Sequence, residues 1–373
     1  MNADEGRFRI LNWNVAGAKY LDLKSQEKHP EMPGYKTREG FKEQLNRALR
    51  EKIREQDPHV ITLQEVVSYN DSGDDSSATN ILDVPEDYYY FFEPLIDTKH
   101  YSAPRKWNNV KERGEWRSKA FFAQGNAIMI RKNVPSFPVF ELPKIDQQSS
   151  NNVHPEIVKL TAGFYFGDRN TEPRAALITH IVLSQFKPNN RADIQLGKPL
   201  DIFIVNVHLT TIKKEREGIP DIDLEGSRIR LRQIDIITNE IVSRYNSWAK
   251  DKYRLVGMVP TEDETADRHK PIWILAGDFN FTPESDEYRA LLNRGFIDLL
   301  PHHKVGTKAS GLGETPTLTV DYVFGGPKYE ALDPGYVQEG IQTNRVAFDD
   351  EVIISDHLPL LITVPIVLPK KGK

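Results

Sequence analysis

The chain reads as an α/β or α+β protein with more strands than helices. Two observations predict this. Short apolar runs rich in β-branched and aromatic residues recur from one end to the other. Between some of them, apolar residues return at helical spacing on a charged background.

In chain order, strands are predicted over 8–15, 59–63, 88–92, 126–130, 175–182, 201–207, 271–276, 319–324 and 358–364. Phe41, Leu45, Ala48, Leu49 and Ile53 line one face and predict an amphipathic helix over 40–56. Ile234, Ile237, Ile241, Tyr245 and Trp248 do the same over 227–250. A shorter helix is predicted over 284–293, with Thr282 as its cap and Pro283 at its first position. Stretches 70–79 and 261–270 are polar and read as surface loops, and the tail 369–373 as a frayed end. No repeat of the solenoid kind is visible.

Composition narrows the chemistry. The 373 residues include no cysteine, which excludes a disulfide scaffold, a Cys-ligated zinc or iron–sulfur site and a thiol nucleophile. With 39% hydrophobic residues, long disorder is not expected. The net charge of −5 speaks against a protein that coats nucleic acid, but not against an enzyme that binds it locally. No apolar run is long enough to span a bilayer, so no integral membrane segment is expected. The polar start, Met1 to Arg7, shows no signal peptide, so a cytoplasmic location is expected; a trimmed secreted or periplasmic chain would look the same.

Polar islands sit at the edges of the predicted strands. They are Asn14 in Leu-Asn-Trp-Asn, Glu65 in Leu-Gln-Glu, His208 in Asn-Val-His-Leu, Asp278 and Asn280 in Gly-Asp-Phe-Asn, and Asp356 and His357 in Ser-Asp-His. Singly, each has an ordinary structural reading: an amide satisfying a turn, a glutamate pairing with a lysine, a histidine in a core. Together they place carboxylates, amides and histidines at several strand ends, which converge naturally on one rim. Glutamate, aspartate and an amide oxygen suit a hard divalent cation, Mg²⁺ or Mn²⁺. The histidines lack the helical spacing of a zincin, and neither a Gly-rich nucleotide loop nor a Gly-x-Ser-x-Gly elbow is present. Metal-assisted hydrolysis of a phosphate ester is the chemistry that fits.

With Val-Asp321-Tyr-Val-Phe added, these motifs resemble, in order, those of the endonuclease/exonuclease/phosphatase, or DNase-I-like, superfamily. They span positions 14 to 357. The resemblance implies a four-layer sandwich of two packed mixed β-sheets flanked by helices, with the site at one end of the sheets. It implies one domain over 1–373, with surface insertions near 66–86, 97–120 and 257–270. Glu65 would be the main metal ligand, with Asn14 and Asp356 nearby. Asp278 would activate or orient water, Asn280 would hold the phosphate, and His208 would donate to a phosphoryl oxygen or the leaving group. Asp321 would pair with His357 and fix its tautomer. Either His357 or Asp278 would be the base. Arg174 stands where some members carry a phosphate-contacting arginine. No marker position is apolar, which argues against a catalytically silent binding module.

The superfamily's shared motifs recognise the phosphate, so specificity must lie elsewhere. Residues 99–119 interleave Arg105, Lys106, Lys111, Arg113 and Arg117 with Tyr101, Trp107 and Trp116. Cations position phosphates and aromatic faces stack bases, so Arg105, Lys106, Trp107 and Arg113 are candidate substrate contacts, with nucleic acid one candidate partner. An anionic lipid or polyphosphorylated headgroup would also suit them. Val66-Val67 after Gln-Glu departs from the AP-endonuclease branch, and the missing cysteines depart from secreted DNase I. The expectation is a phosphodiesterase or nuclease. The alternative is a phosphomonoesterase or sphingomyelinase-like enzyme acting on inositol phosphates or lipid headgroups. No protein partner is predicted.

Overall fold

The structure, a computed structural model, describes residues 7–17, 38–70, 79–97, 121–134, 136–137, 155–161, 170–182, 201–212, 223–244, 272–300, 306–308, 317–326, 341–346 and 355–365. The first half supplies β1 (Arg7–Asn14), α1 (Arg38–Gln56), β2 (Val60–Asn70), β3 (Thr79–Asn80), β4 (Tyr88–Asp97) and β5 (Phe121–Arg131). Next come β6 (Ser136–Phe137), β7 (Glu156–Lys159), β8 (Ala175–Val182) and β9 (Asp201–His208). Helix α2 (Leu224–Asp235) runs on into a π-helical stretch, Ile236–Val242. The last part holds β10 (Ile272–Asp278), α3 (Asp286–Asn293), β11 (Ile297–Asp298), β12 (Asp321–Gly326), β13 (Gln342–Arg345) and β14 (Leu360–Pro365).

The strands form two mixed seven-stranded sheets. One has the order β13-β14-β1-β2-β5-β4, with β3 on β2; the other has β11-β12-β10-β9-β8-β6, with β7 on β8. Only β1–β2 and β9–β10 pair in parallel among the described strands. Alternation along each strand makes the layers. Phe8, Ile10, Val60 and Ile128 of the first sheet meet Ile202, Ile204, Ile274 and Val323 of the second in one buried cluster. The opposite parity of the first sheet, Leu11, Trp13, Ile61 and Leu63, packs under Phe41, Leu45, Ala48 and Leu49 of α1. That of the second, Phe203, Val205, Trp273 and Leu275, packs under Ile234, Ile237, Ile241, Tyr288 and Leu291. The result is the four-layer sandwich, helices outside two packed sheets. None of the described helices is long and apolar enough to cross a membrane.

The elements differ from the sequence reading at their ends. Helix α2 starts before the 227–250 pattern because Asp223 caps it, its side chain accepting from the Gly226 N–H at 3.3 Å. Helix α3 is capped by Ser285, which is extended and accepts from the Tyr288 N–H, so Thr282 and Pro283 fall in the turn before it. Residues 66–70, expected in an insertion, continue β2 and pair with β3 and β5. Stretches 71–78, 98–120, 245–271 and 366–373 lie outside the described residues, and with them the expected loop 261–270, the tail and most of the expected insertions.

Toward the C-terminal ends of the parallel pairs, the layer between the sheets turns from apolar to polar. Asn12, Thr62, Gln64 and Asn206 there are all at most 1% exposed. Asn206 of β9 donates through Nδ2 to the Leu63 and Ala127 carbonyls of the other sheet, at 3.0 and 2.9 Å. Gln64 Nε2 donates to Asn206 Oδ1 at 2.7 Å and to Asn12 Oδ1 at 2.9 Å, and Thr62 Oγ1 donates to Asn12 Oδ1 at 2.8 Å. These bonds register one sheet against the other directly beneath the strand ends. Near the start of β1, the layer is anchored differently: His59 accepts from the Arg9 N–H at 3.1 Å and stacks on Phe8. Burial, aided by the Arg131 charge and opposed by Asp57, pulls the His59 pKa down from 6.5 to about 4.

Asn206→Leu should therefore destabilise the protein by about 2–4 kcal/mol, because it removes bonds that a buried leucine cannot replace. An unchanged urea midpoint would contradict the cross-sheet role. A histidine kept neutral in the folded state favours folding fully above the pH of its unfolded titration, and that contribution is lost as pH falls toward its folded pKa. Stability should thus fall between about pH 6.5 and pH 4, and the fall should be smaller in His59→Gln. Equal losses in urea titrations of the two proteins would contradict this.

Candidate active site

The same alternation that buries Ile202, Ile204 and Ile274 between the sheets points His208 and Asp278 into that layer at the strand ends. Pairing then sets them side by side: Asp278 lies opposite His208 across β9–β10 and opposite Asp321 across β10–β12. Gly277 makes this possible. Its φ is +156°, and a Cβ there would lie 1.9 Å from the Val207 carbonyl oxygen, so only glycine lets β10 approach β9 this closely. In the other sheet the β2–β5 register shifts between Leu63 and Val66. Glu65 sits in that bulge with φ +55°, so its side chain leaves the strand alternation.

Asp278 is the hub. It is 1% exposed. Asn14 Nδ2 donates to its Oδ2 at 3.0 Å and the Asn280 N–H to its Oδ1 at 3.0 Å. Nε2 of His208 and Nε2 of His357 stand 3.6 and 3.8 Å from the same Oδ2. Burial, with Asp321 and Glu65 adding to it and His357 and Lys308 opposing, raises the Asp278 pKa to about 6. Burial also holds His208 well below its ordinary value, and the charges of Arg174, His357 and Lys308 push the same way.

His357 behaves oppositely. Burial would lower it, but Asp321 overrides that, its two oxygens lying 2.9 and 3.0 Å from Nδ1, and Asp278 helps; the result is a pKa of about 9. The pair fixes the ring with Nδ1 toward Asp321 and leaves Nε2 toward Asp278 and Asp356, the latter at 3.9 Å. The segment is held by Ser355, whose Oγ donates to the Asn14 carbonyl at 2.7 Å and accepts from the His357 N–H at 3.1 Å. Trp13 Nε1 donates to the His357 carbonyl at 3.1 Å.

Glu65, His208 and Asp278 each present a ligand atom within 4.8 Å of the others, and so do Asp278, Asp321 and His357. In the second group Asp321 and His357 already engage each other. The first group, with two carboxylates and one imidazole, suits a hard divalent cation of the Mg²⁺ or Mn²⁺ kind.

The sequence-derived residues thus fall into three groups. Asn14, Glu65, His208, Asp278, Asn280, Asp321, Asp356 and His357 come together. Asn14, expected beside a metal, turns its amide nitrogen to the carboxylates: Nδ2 donates to Glu65 at 3.2 Å as well as to Asp278, while Oδ1 accepts from the Ala16 N–H. Asn280 has φ +53° and donates from Nδ2 to the Leu209 carbonyl; its buried Oδ1 has no hydrogen-bond partner among the described residues. Arg174 is buried, 3.1 Å from Glu172 and 3.3 Å from Thr211, and bears on His208 through its charge. Arg105, Lys106, Trp107 and Arg113 lie outside the described residues. Lys308, absent from the sequence expectations, acts on Asp278, Asp356, Glu65 and Asp321 and on both histidines. It stands in a polar, Gly- and Thr-containing stretch with no apolar run to draw attention to it.

One solved structure agrees with this architecture. A crystal structure of the endonuclease/exonuclease/phosphatase from Bacteroides vulgatus superposes with a TM-score of 0.50 at 12% identity, covering 97% of this chain and 99% of that one. The human Nocturnin catalytic domain with bound sulfate gives 0.46 at 14% identity, covering 98% and 96%. D. rerio TDP2 complexed with a single-strand DNA product gives 0.46 at 14% identity, covering 96% and 98%. No curated protein matches the chain by sequence. The Endonuclease/Exonuclease/phosphatase family profile matches residues 11–357. The chain belongs to the endonuclease/exonuclease/phosphatase family.

Proposed function

We propose that this protein is a divalent-metal-dependent hydrolase of phosphoric esters that prefers phosphodiesters, with nucleic acid the leading substrate class. The observation that carries the reading is the arrangement around Asp278. One buried carboxylate stands within 4 Å of Nε2 of His208 and of His357, and His357 is in turn paired to Asp321. Members of the family generally cleave phosphoester bonds.

Glu65 would hold the cation beside Asp278 and His208, with Asp356, expected near it from the family resemblance, 3.9 Å from His357. A bound divalent cation supplies Lewis acidity toward a phosphoryl oxygen and stabilises developing negative charge. The chain's own groups do the rest. His208 is kept neutral by burial, so it can donate a single N–H to a phosphoryl or leaving oxygen without adding fixed charge. His357 is kept protonated by Asp321 near neutral pH and so can stabilise or protonate an oxyanion. Asp278, buried against both histidines, is placed to take a proton from water. Asp278 is thus placed to take the proton of the attacking water, and His357 to give its own to the leaving oxygen. Arg105, Lys106, Trp107 and Arg113 are proposed to lengthen the substrate contact beyond the phosphate, on the basis of their cationic and aromatic pattern in the sequence.

Hydrolysis of bis-p-nitrophenyl phosphate and of DNA, RNA and lipid phosphodiesters, with Mg²⁺ or Mn²⁺ and with excess EDTA, tests the proposal. Metal-dependent turnover is expected on at least one diester. His357→Ala and Glu65→Ala should each lower kcat by about 10²–10⁴-fold while the thermal melt stays cooperative. Absence of turnover on the whole panel with both metals would refute the hydrolase reading, and full activity in Glu65→Ala would refute its place in the site.

A further inference from the structure

We propose that Lys308 is a phosphate-binding residue of this site, its ammonium contacting a non-bridging oxygen of the substrate phosphate. The inference deepens the hydrolase reading above and rests on it.

The first ground is backbone placement. Residues 306–308 are laid between two segments that carry catalytic candidates. On one side, the Lys308 N–H donates to the Leu318 carbonyl at 2.8 Å, and the Lys308 carbonyl accepts from the Leu318 N–H at 3.0 Å and the Thr317 N–H at 3.1 Å. Thr307 Oγ1 accepts from the N–H groups of Val320 and Asp321, at 3.1 and 3.0 Å. On the other side, the Leu358 N–H donates to the Thr307 carbonyl at 2.8 Å, and Lys308 bridges to His357. Gly306 permits the approach, because a Cβ there would lie 2.5 Å from the Leu318 nitrogen. Lys308 is therefore pinned at its backbone between Leu318 and His357.

The second ground is charge. The Lys308 ammonium interacts electrostatically with Asp278, Asp356, Glu65 and Asp321, and these raise its pKa although burial opposes them. It also bears on His208 and His357. A group felt by all six ionisable residues, which come from four strands and the segment before β14, has its charge among them. It forms no ion pair within 4.0 Å among the described residues, so no single carboxylate consumes it. A half-buried cation that is shared by a site and committed to no partner has its donors available to an anion there. Arg174 has not the same freedom, since its guanidinium is 3.1 Å from Glu172.

The consequence for chemistry is specific. The carboxylates of Glu65, Asp278, Asp321 and Asp356 repel an incoming phosphate unless cations offset them. Neutral His208 adds no charge, whereas Lys308 adds one permanently and on the His357 side of the site. A fixed ammonium would also repel a divalent cation, so Lys308 should make the site a better phosphate binder and a weaker metal binder than its carboxylates alone would be.

The test is isothermal titration of inorganic phosphate into the wild type, Lys308→Met and Lys308→Arg in EDTA, with thermal melts as the folding control. A parallel Mn²⁺ titration is run without phosphate or EDTA. We expect Lys308→Met to weaken phosphate binding by about ten- to hundredfold and Lys308→Arg to restore most of it. Lys308→Met should also tighten Mn²⁺. Phosphate affinity in Lys308→Met within a factor of about two of wild type would overturn the proposal, with tighter Mn²⁺ then marking Lys308 as a counter-ion of the carboxylates only. Undetectable phosphate binding by the wild type would overturn it too. If phosphate binding depends on Lys308 but no ester on the substrate panel is hydrolysed, the hydrolase reading falls and the phosphate contact stands.

Discussion

A carboxylate shut away from water is costly unless donors replace the water it has lost. Asp278 is in that position, and the surrounding architecture supplies the replacement. Asn14 donates to it from the first sheet and the Asn280 N–H from its own strand end, while the histidines of β9 and of the segment before β14 face it at 3.6 and 3.8 Å. Because these donors come from both sheets, Asp278 also joins the sandwich at its rim. Its raised pKa, the depressed His208 and the elevated His357 are one electrostatic balance seen from different groups. Changing any member moves the others.

The fold makes this balance affordable by keeping it at the end of the inter-sheet layer. Beneath the site, Asn206, Gln64, Asn12 and Thr62 satisfy one another across the sheets, so polar side chains are carried inward without water. Backbone strain is concentrated in the same place. Glu65 and Asn280 both occupy positive φ, at a cost of about 1–3 kcal/mol each for non-glycine residues. Asparagine tolerates this region, and glutamate less so. That Glu65 is held there argues that the aim of its carboxylate matters more than local ease of the chain.

Much of this was legible in the residues. Long strands such as β8 and β9 carry their own β-branched runs, and the stripe of α1 repeats at helical spacing. The polar residues at strand ends were visible as interruptions of apolar runs, and their convergence followed from sheet topology. The short edge strands β3, β6, β7, β11 and β13 were not legible, because they owe their form to a neighbour's ladder and not to their own pattern. The ends of β12 and β14 were displaced for a related reason: Val320 and Leu358 leave their strands to bond Thr307. Lys308 was hidden for that reason too. Nothing in Gly-Thr-Lys marks an active-site cation until the segment is seen wedged between Asp321 and His357. Capping of α2 by Asp223 and of α3 by Ser285 was within reach of the sequence, since both are preferred N-cap types.

The most direct test of a cation held at Glu65, beside Asp278 and His208, is Mn²⁺ binding followed by electron paramagnetic resonance of the free ion. The wild type should deplete the free signal saturably, excess Mg²⁺ should restore it by competition, and Glu65→Ala should lose the tightest phase. Equal Mn²⁺ depletion by Glu65→Ala and wild type, with no competition by Mg²⁺, would contradict the account.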